Sequence, residues 1–209
     1  MIFTGAVIVI ASYLLGSIPF GYLVGKMRGI DIRQHGSGNI GATNVLRVLG
    51  KKFGIPVFIC DALKGLIAVR GAMSFAAHGH AIPPAAAGIM AALCCIIGHN
   101  FPVWLAFKGG KGIATSAGVL IGMVPVAAAL TLAVWVIIFY STRYVSLASI
   151  CASIALPVIV VACLFLGLET GWPFFYFSVV AALLAVWRHR SNIQRLLNGT
   201  EPRFVKKNE

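Results

Sequence analysis

The run Ser146-Leu-Ala-Ser-Ile-Cys-Ala-Ser-Ile-Ala-Leu-Pro-Val-Ile-Val-Val-Ala-Cys-Leu-Phe-Leu-Gly167 contains no charged side chain, and about 20 such residues are enough for a helix to cross a bilayer. Six more apolar segments surround it, at about 3 to 25, 54 to 75, 84 to 100, 112 to 124, 126 to 140 and 173 to 188, punctuated by Gly, Pro and charge. The pattern predicts an all-α polytopic membrane protein with about seven transmembrane helices. Gly122-Met123-Val124-Pro125 reads either as a tight turn between two short spans or as a kink in one long span, so five or six crossings stay open. With 209 residues to divide among these spans, residues 1–209 are expected to form a single integral membrane domain.

Composition agrees. The chain is 59% hydrophobic and 11% charged, against about 25% charged in soluble domains, which excludes an ordinary soluble protein. A formal net charge of +12 would suggest nucleic acid in a soluble chain. Here the 17 lysines and arginines follow the topology: with the N-terminus outside and the C-terminus cytoplasmic, all but Lys64 and Arg70 fall in or beside inside loops. Nucleic acid is therefore not an expected partner. Cys60, Cys94, Cys95, Cys151 and Cys163 lie within apolar stretches and read as small buried hydrophobes. The first run lacks a basic leader or a cleavage signal and reads as a retained helix.

Three polar stretches interrupt this pattern. Gln34 to Arg47 contains Gly36, Gly38 and Gly41 in G-x-G-x-x-G spacing, with Asp61 about twenty residues on. A dinucleotide fingerprint needs a preceding buried strand, and this stretch follows a membrane helix, so that reading is rejected. Its physical content survives: glycines let backbone N–H groups approach an anion, and Ser37, Asn39, Thr43, Asn44 and Arg47 add donors. The second stretch, Gly98-His99-Asn100-Phe101-Pro102 running to Lys108-Gly109-Gly110-Lys111-Gly112, sets two ammonium groups among glycines just before a helix that carries Thr115. Leu105 and Gly112 stand where a Walker A loop needs glycine and serine or threonine, so nucleotide hydrolysis is not supported. The third, Arg188 to Glu201, reads as a basic flank of the last span that would place His189 and Asn192 on one helix face. Asp61 and Lys64, three apart inside an apolar segment, read equally as a neutralised pair or as functional groups.

Five acidic residues without a cluster offer no Mg²⁺ site, so neither a metal nor another cofactor is expected. A Gly-x-Ser-x-Gly elbow is missing, and residue 104, five after His99, is Trp where an acyltransferase of the His-x4-Asp type would carry Asp.

Together the three stretches resemble the bacterial acyl-phosphate:glycerol-3-phosphate acyltransferases over essentially the whole chain. The resemblance implies seven helices in the bacterial inner membrane and a site facing the cytoplasm. It also implies acyl phosphate as donor and glycerol 3-phosphate as acceptor, for the first step of phospholipid synthesis. It assigns Ser37 and Arg47 to the essential first motif, with Gly38, Asn39, Gly41, Thr43 and Asn44 around them. Lys108, Gly109, Gly110, Lys111 and Gly112 fall to phosphate binding, with Thr115 beside them as a further substrate-binding candidate, and His189 and Asn192 to holding the glycerol phosphate. Glu201 matches an acidic position, structural or catalytic. The chemistry fits from below, since two phosphorylated substrates call for a site rich in Arg, Lys and glycine amides. His99, His189 or the acyl phosphate's own oxygen would take the proton. A membrane anion transporter is the rival class, although the chain has no evident inverted repeat.

Overall fold

The computed structural model describes residues 2–78, 82–168 and 171–204; Lys206 and Lys207 of the basic C-terminal stretch lie outside them. Among the described residues every regular element is a helix, as expected. Their contacts gather the chain into two compact units, Met1–Met123 and Val124–Glu209.

The first unit holds α1 (Ile2–Ser17), α2 (Phe20–Met27), α3 (Ala42–Leu49), α4 (Lys51–Ala77), α5 (Pro84–Asn100) and α6 (Ile113–Met123). The first apolar run, expected as one helix over 3 to 25, is broken at Ile18-Pro19. Proline has no N–H to give and its ring displaces the preceding turn, so the helix restarts at Phe20. Ser17 adds to the bend by donating its hydroxyl to the Tyr13 carbonyl at 2.8 Å. α1 packs on α5, and α4 packs on both α5 and α6.

Glycines make these crossings. A Cβ on Gly16 would fall on the Cys95 carbonyl, one on Gly98 on that of Tyr13, one on Gly65 on that of Thr115, and one on Gly118 on that of Ala62. Lipid supplies little hydrophobic drive between helices, so backbones must approach this closely to gain dispersion contacts. Gly118 and Gly122 thus line a helix crossing, as their spacing suggests. Gly21 and Gly25 instead face the Ile40 carbonyl and Ile32 of the loop between α2 and α3.

The second unit holds α7 (Pro125–Thr142), α8 (Val145–Phe165), α9 (Trp172–Arg188) and α10 (Arg190–Leu197). α8 packs against α7 and α9, and α10 touches both α8 and α9. Helix stops at Met123 and resumes at Pro125, with Val124 between them at φ −141° and ψ 70°, outside the helical region. The stretch 112 to 140 is therefore two helices.

All seven predicted segments are helical. Four stretches, Ile2–Met27, Pro84–Leu105, Pro125–Thr142 and Val145–Phe165, are long and apolar enough to cross a membrane. α4, at 27 residues or about 40 Å, has the length but carries Asp61, Lys64 and Arg70; α6 and α9 are apolar but shorter. Large apolar side chains such as Ile10, Ile59, Ile67, Ile137 and Val158 point outward, while Asp61, Lys64 and His99 are buried. Apolar outside and charged inside is the arrangement lipid demands. All five cysteines are free thiols.

Candidate active site

The first motif is a loop tied to its own helix. Asn44, at the start of α3 and buried, accepts from the Ser37 amide at 2.8 Å and donates to the carbonyls of His35 at 3.0 Å and Ile32 at 3.3 Å. Its amide is thus spent on shaping the loop, a different use from the substrate contact read in the sequence. Asn39 closes the next turn by accepting from the Gly41 amide at 2.8 Å. Gly36 and Gly38 take positive φ of 59° and 70°, the left-handed region that suits glycine. A side chain on Gly36 would strike the Asn44 carboxamide.

Beneath the loop, Ile32, Ile40, Val45 and Val57 form a buried apolar cluster that anchors it. Arg33 is taken up by the Asp31 carboxylate at 2.6 Å. That guanidinium holds the Asp31 pKa down to about 2 through its hydrogen bonds. Ser37 and Arg47 stand exposed on this frame, and among the described residues no ion pair holds Arg47.

The second motif folds back on the end of α5. The Gly109 amide donates to the Asn100 carbonyl and the Gly110 amide to the His99 carbonyl, both at 3.1 Å. Ala106 and Phe107 make the reversal at φ 50° and 62°, strained for residues with side chains. The sequence reading gave the glycines to anion approach. The structure adds a packing reason, because a Cβ on Gly109 would hit the His99 carbonyl and Pro102, and one on Gly110 would fall on the His99 ring, Nε2 first. Tyr13 steadies the reversal with its hydroxyl on the Phe101 carbonyl at 2.8 Å. Lys108 is exposed, Lys111 is half-buried, and Gly112 at φ 82° leads into α6.

Behind this loop lies a polar core whose closure sequence spacing does not reveal. Asp61 Oδ1 sits 2.8 Å from Lys64 Nζ and 3.5 Å from His99 Nδ1, and these three residues are 2%, 2% and 6% exposed. Lys64 also donates to the Ile18 carbonyl at 2.9 Å, at the break between α1 and α2, and lies over the Phe20 ring. Asn100 and Thr115, both fully buried, have side-chain polar atoms without a hydrogen-bond partner. Thr115, read as substrate-binding, therefore lies deep, with its backbone carbonyl against Gly65.

The third motif is organised in the second unit by Glu201. Its carboxylate accepts from the Ser146 hydroxyl at 2.6 Å, the Asn192 amide at 2.7 Å and Arg195 Nε at 2.7 Å. Burial alone would raise the pKa of Glu201, but these three donors outweigh it and hold it below the ordinary value. His189, at the junction of α9 and α10, turns its Nδ1 back to the Ala185 carbonyl of α9 at 2.8 Å, and both His189 and Asn192 are buried. Ser146 and Arg195 escaped the sequence reading, since nothing at a separation of 55 residues marks Ser146 as a partner of Glu201.

Glu201→Gln should destabilise the protein by about 2 kcal/mol, since a charged acceptor is lost and Arg195 is left without its counterion. The sign of the pH effect follows from the lowered pKa. The stabilisation is present above about pH 4.5, the ordinary value, and fades as pH falls through the folded value. Thermal midpoints of both proteins across pH 3 to 7 should converge at the acid end. Parallel curves would mean that Glu201 is not ionised in the fold.

A sequence model of the family described as glycerol-3-phosphate acyltransferase matches residues 6–199. The glycerol-3-phosphate acyltransferase of Halalkalibacterium halodurans is 47% identical over 208 residues, 98% of each chain. That of Thermosynechococcus vestitus is 47% identical over 92% of each. Among solved structures, the crystal structure of PlsY, an integral membrane glycerol 3-phosphate acyltransferase, in its glycerol 3-phosphate form superposes with a TM-score of 0.84 at 42% identity, covering 96% of both chains. Its lysophosphatidic acid form gives 0.82. The resemblance read from three motifs thus holds over the whole chain, which belongs to the glycerol-3-phosphate acyltransferase family.

Proposed function

We propose that this chain, a glycerol-3-phosphate acyltransferase by family, takes its acyl group from acyl phosphate. The 1-hydroxyl oxygen of glycerol 3-phosphate bonds to the acyl carbonyl carbon, and the bond from that carbon to the phosphate oxygen breaks. The products are lysophosphatidic acid and inorganic phosphate, with the hydroxyl proton passing to His99, to His189 or to the departing phosphate.

The observation that carries this reading is the Lys108 to Gly112 loop. Its glycines are pressed against the end of α5 and its two lysines stand beside the start of α6, where the helix dipole also favours an anion. Such a cradle suits a phosphate leaving group, and the low dielectric near lipid strengthens each contact. A thioester donor would call for a nucleotide pocket or a wide docking surface, neither of which was identified in the sequence. Ser37 and Arg47 are assigned to the substrate phosphates, and His189 and Asn192 to the glycerol phosphate on the family resemblance.

Purified protein given acyl phosphate and glycerol 3-phosphate should release inorganic phosphate in equal amount to acylated product, and Lys111→Ala should impair both. Efficient turnover with acyl-coenzyme A alone would sink the donor assignment while leaving the family untouched.

We further propose seven crossings of the bacterial inner membrane, with an outside N-terminus and the three motifs on the cytoplasmic side, because nearly all basic charge collects there. Cysteines placed at Lys52 or Lys108, on a background lacking the native five, should resist an impermeant thiol reagent in intact cells. Ready labelling of either would invert the topology.

A further inference from the structure

We infer that Asp61 is a positioning residue for acyl transfer, holding the His99 ring against the phosphate loop from within the membrane helix α4. The inference rests on the assignment of the Lys108 to Gly112 loop to phosphate binding. None of the three motifs read in the sequence includes this residue.

The geometry runs in one line. Asp61 Oδ1 lies 3.5 Å from His99 Nδ1. The opposite ring atom, Nε2, faces Gly110, as the fate of a Cβ built there shows. The Gly110 amide returns to the His99 carbonyl at 3.1 Å, so ring and backbone of one histidine buttress the glycine between Lys108 and Lys111. Asp61 Oδ1 makes no hydrogen bond to the ring at this distance; its negative charge lies against the Nδ1 side of the ring, which favours the proton on that nitrogen and leaves Nε2 toward the loop.

Neutralising Lys64 does not by itself account for Asp61. Lys64 has the Ile18 carbonyl at 2.9 Å and the Phe20 ring as further partners, and a buried ion pair is often replaceable by apolar residues without loss of stability. The pair is the simple structural alternative, however, and the two roles separate cleanly. If Asp61 only balances Lys64, removing both charges together restores function. If Asp61 acts through His99, removing Lys64 does not help, and the loss disappears where His99 has already been replaced.

The test is the kinetics of glycerol 3-phosphate acylation from acyl phosphate by purified Asp61→Asn, His99→Gln, Asp61→Asn/Lys64→Met and Asp61→Asn/His99→Gln proteins. A displaced ring misplaces the loop, and misplacement by about 1 Å costs about 100-fold, so Asp61→Asn should lower kcat/KM by about that factor. The charge-neutral Asp61→Asn/Lys64→Met protein should stay within a few-fold of that loss, and Asp61→Asn should add less than about 3-fold on His99→Gln. If Asp61→Asn does not accumulate because Lys64 is left unpaired, the charge-neutral double variant, judged against wild type, carries the test. Return of that double variant to wild-type kcat/KM, or multiplying losses in Asp61→Asn/His99→Gln, overturns the inference. Impaired His99→Gln beside an unimpaired Asp61→Asn also overturns it but leaves the loop assignment standing. Wild-type kinetics in His99→Gln would bring down both.

Discussion

Gly110→Ala is expected to lose about 100-fold or more in kcat/KM while the protein still folds. The methyl group has no room, because it would fall on the His99 ring, whose Nδ1 side faces Asp61 Oδ1 at 3.5 Å. Either the ring swings out or the loop lifts away from the end of α5. The loop is pinned at Gly109 as well, where a second amide-to-carbonyl bond reaches Asn100. Overpacking of this kind costs about 1–3 kcal/mol of stability, and about 1 Å of displacement at the anion cradle costs about 100-fold in rate. The loss should therefore show in turnover more than in the melting temperature.

Gly71→Ala is the matched control: Gly71 lies on α4 with open space around the added Cβ, and alanine is the better helix former by roughly 1 kcal/mol. It should be as active as wild type and no less stable. Gly110→Ala with unchanged kinetics would show that the ring can move aside without consequence, and would remove the loop geometry from the mechanism.

What the sequence revealed and what it hid divide along physical lines. Apolar segments announce themselves because lipid enforces apolarity over some 20 contiguous residues, and the seven predicted segments are helical, the first of them broken at Pro19. The pairing of Asp61 with Lys64 was legible for a similar reason, since residues three apart on a helix meet. The third member of that cluster, His99, comes from another helix, and no periodicity links positions 61 and 99. Likewise Asn44 looked like a donor for substrate because its amide is polar and sits among glycines. Only the folded loop shows that Ser37, His35 and Ile32 already occupy it.

The glycines are the subtler case. Composition says that backbone can approach something closely at Gly109 and Gly110, and anion binding is one such approach. The structure adds another, the end of α5. The amides of Gly109 and Gly110 are donated to the Asn100 and His99 carbonyls, so on the proposed reading the lysines and the start of α6 are what the loop offers to a phosphate. The break at Pro19 was readable from proline chemistry alone, yet the apolar run passes smoothly through it, and hydropathy outweighed the single residue.

Arg47→Lys is expected to cost about 2 kcal/mol or more in transition-state stabilisation, roughly 30-fold in kcat/KM, although the charge is kept. Arg47 rides on α3, which has only eight residues, too few to be stable without tertiary support. That support is present. Val45 and Asn44 are buried on the inner face, and the backbone of Leu46 lies directly against Gly54 of α4. On so fixed a base the exposed guanidinium is held out toward solvent with no carboxylate to quench it among the described residues. Arg33, on the same loop, is instead committed to Asp31, so on the proposed reading Arg47 is the arginine this loop offers to a phosphate. A planar fork grips two phosphate oxygens together; an ammonium group offers a point charge and cannot reproduce that geometry. If the grip strengthens as charge develops on the reacting phosphates, the loss falls mainly on kcat, and if it only holds the acceptor in place, on KM for glycerol 3-phosphate. Steady-state kinetics of Arg47→Lys and Arg47→Ala side by side separate these outcomes. Near-equal losses in the two variants would confirm that shape, and not charge alone, is what Arg47 contributes. A lysine variant with wild-type constants would take Arg47 out of the site.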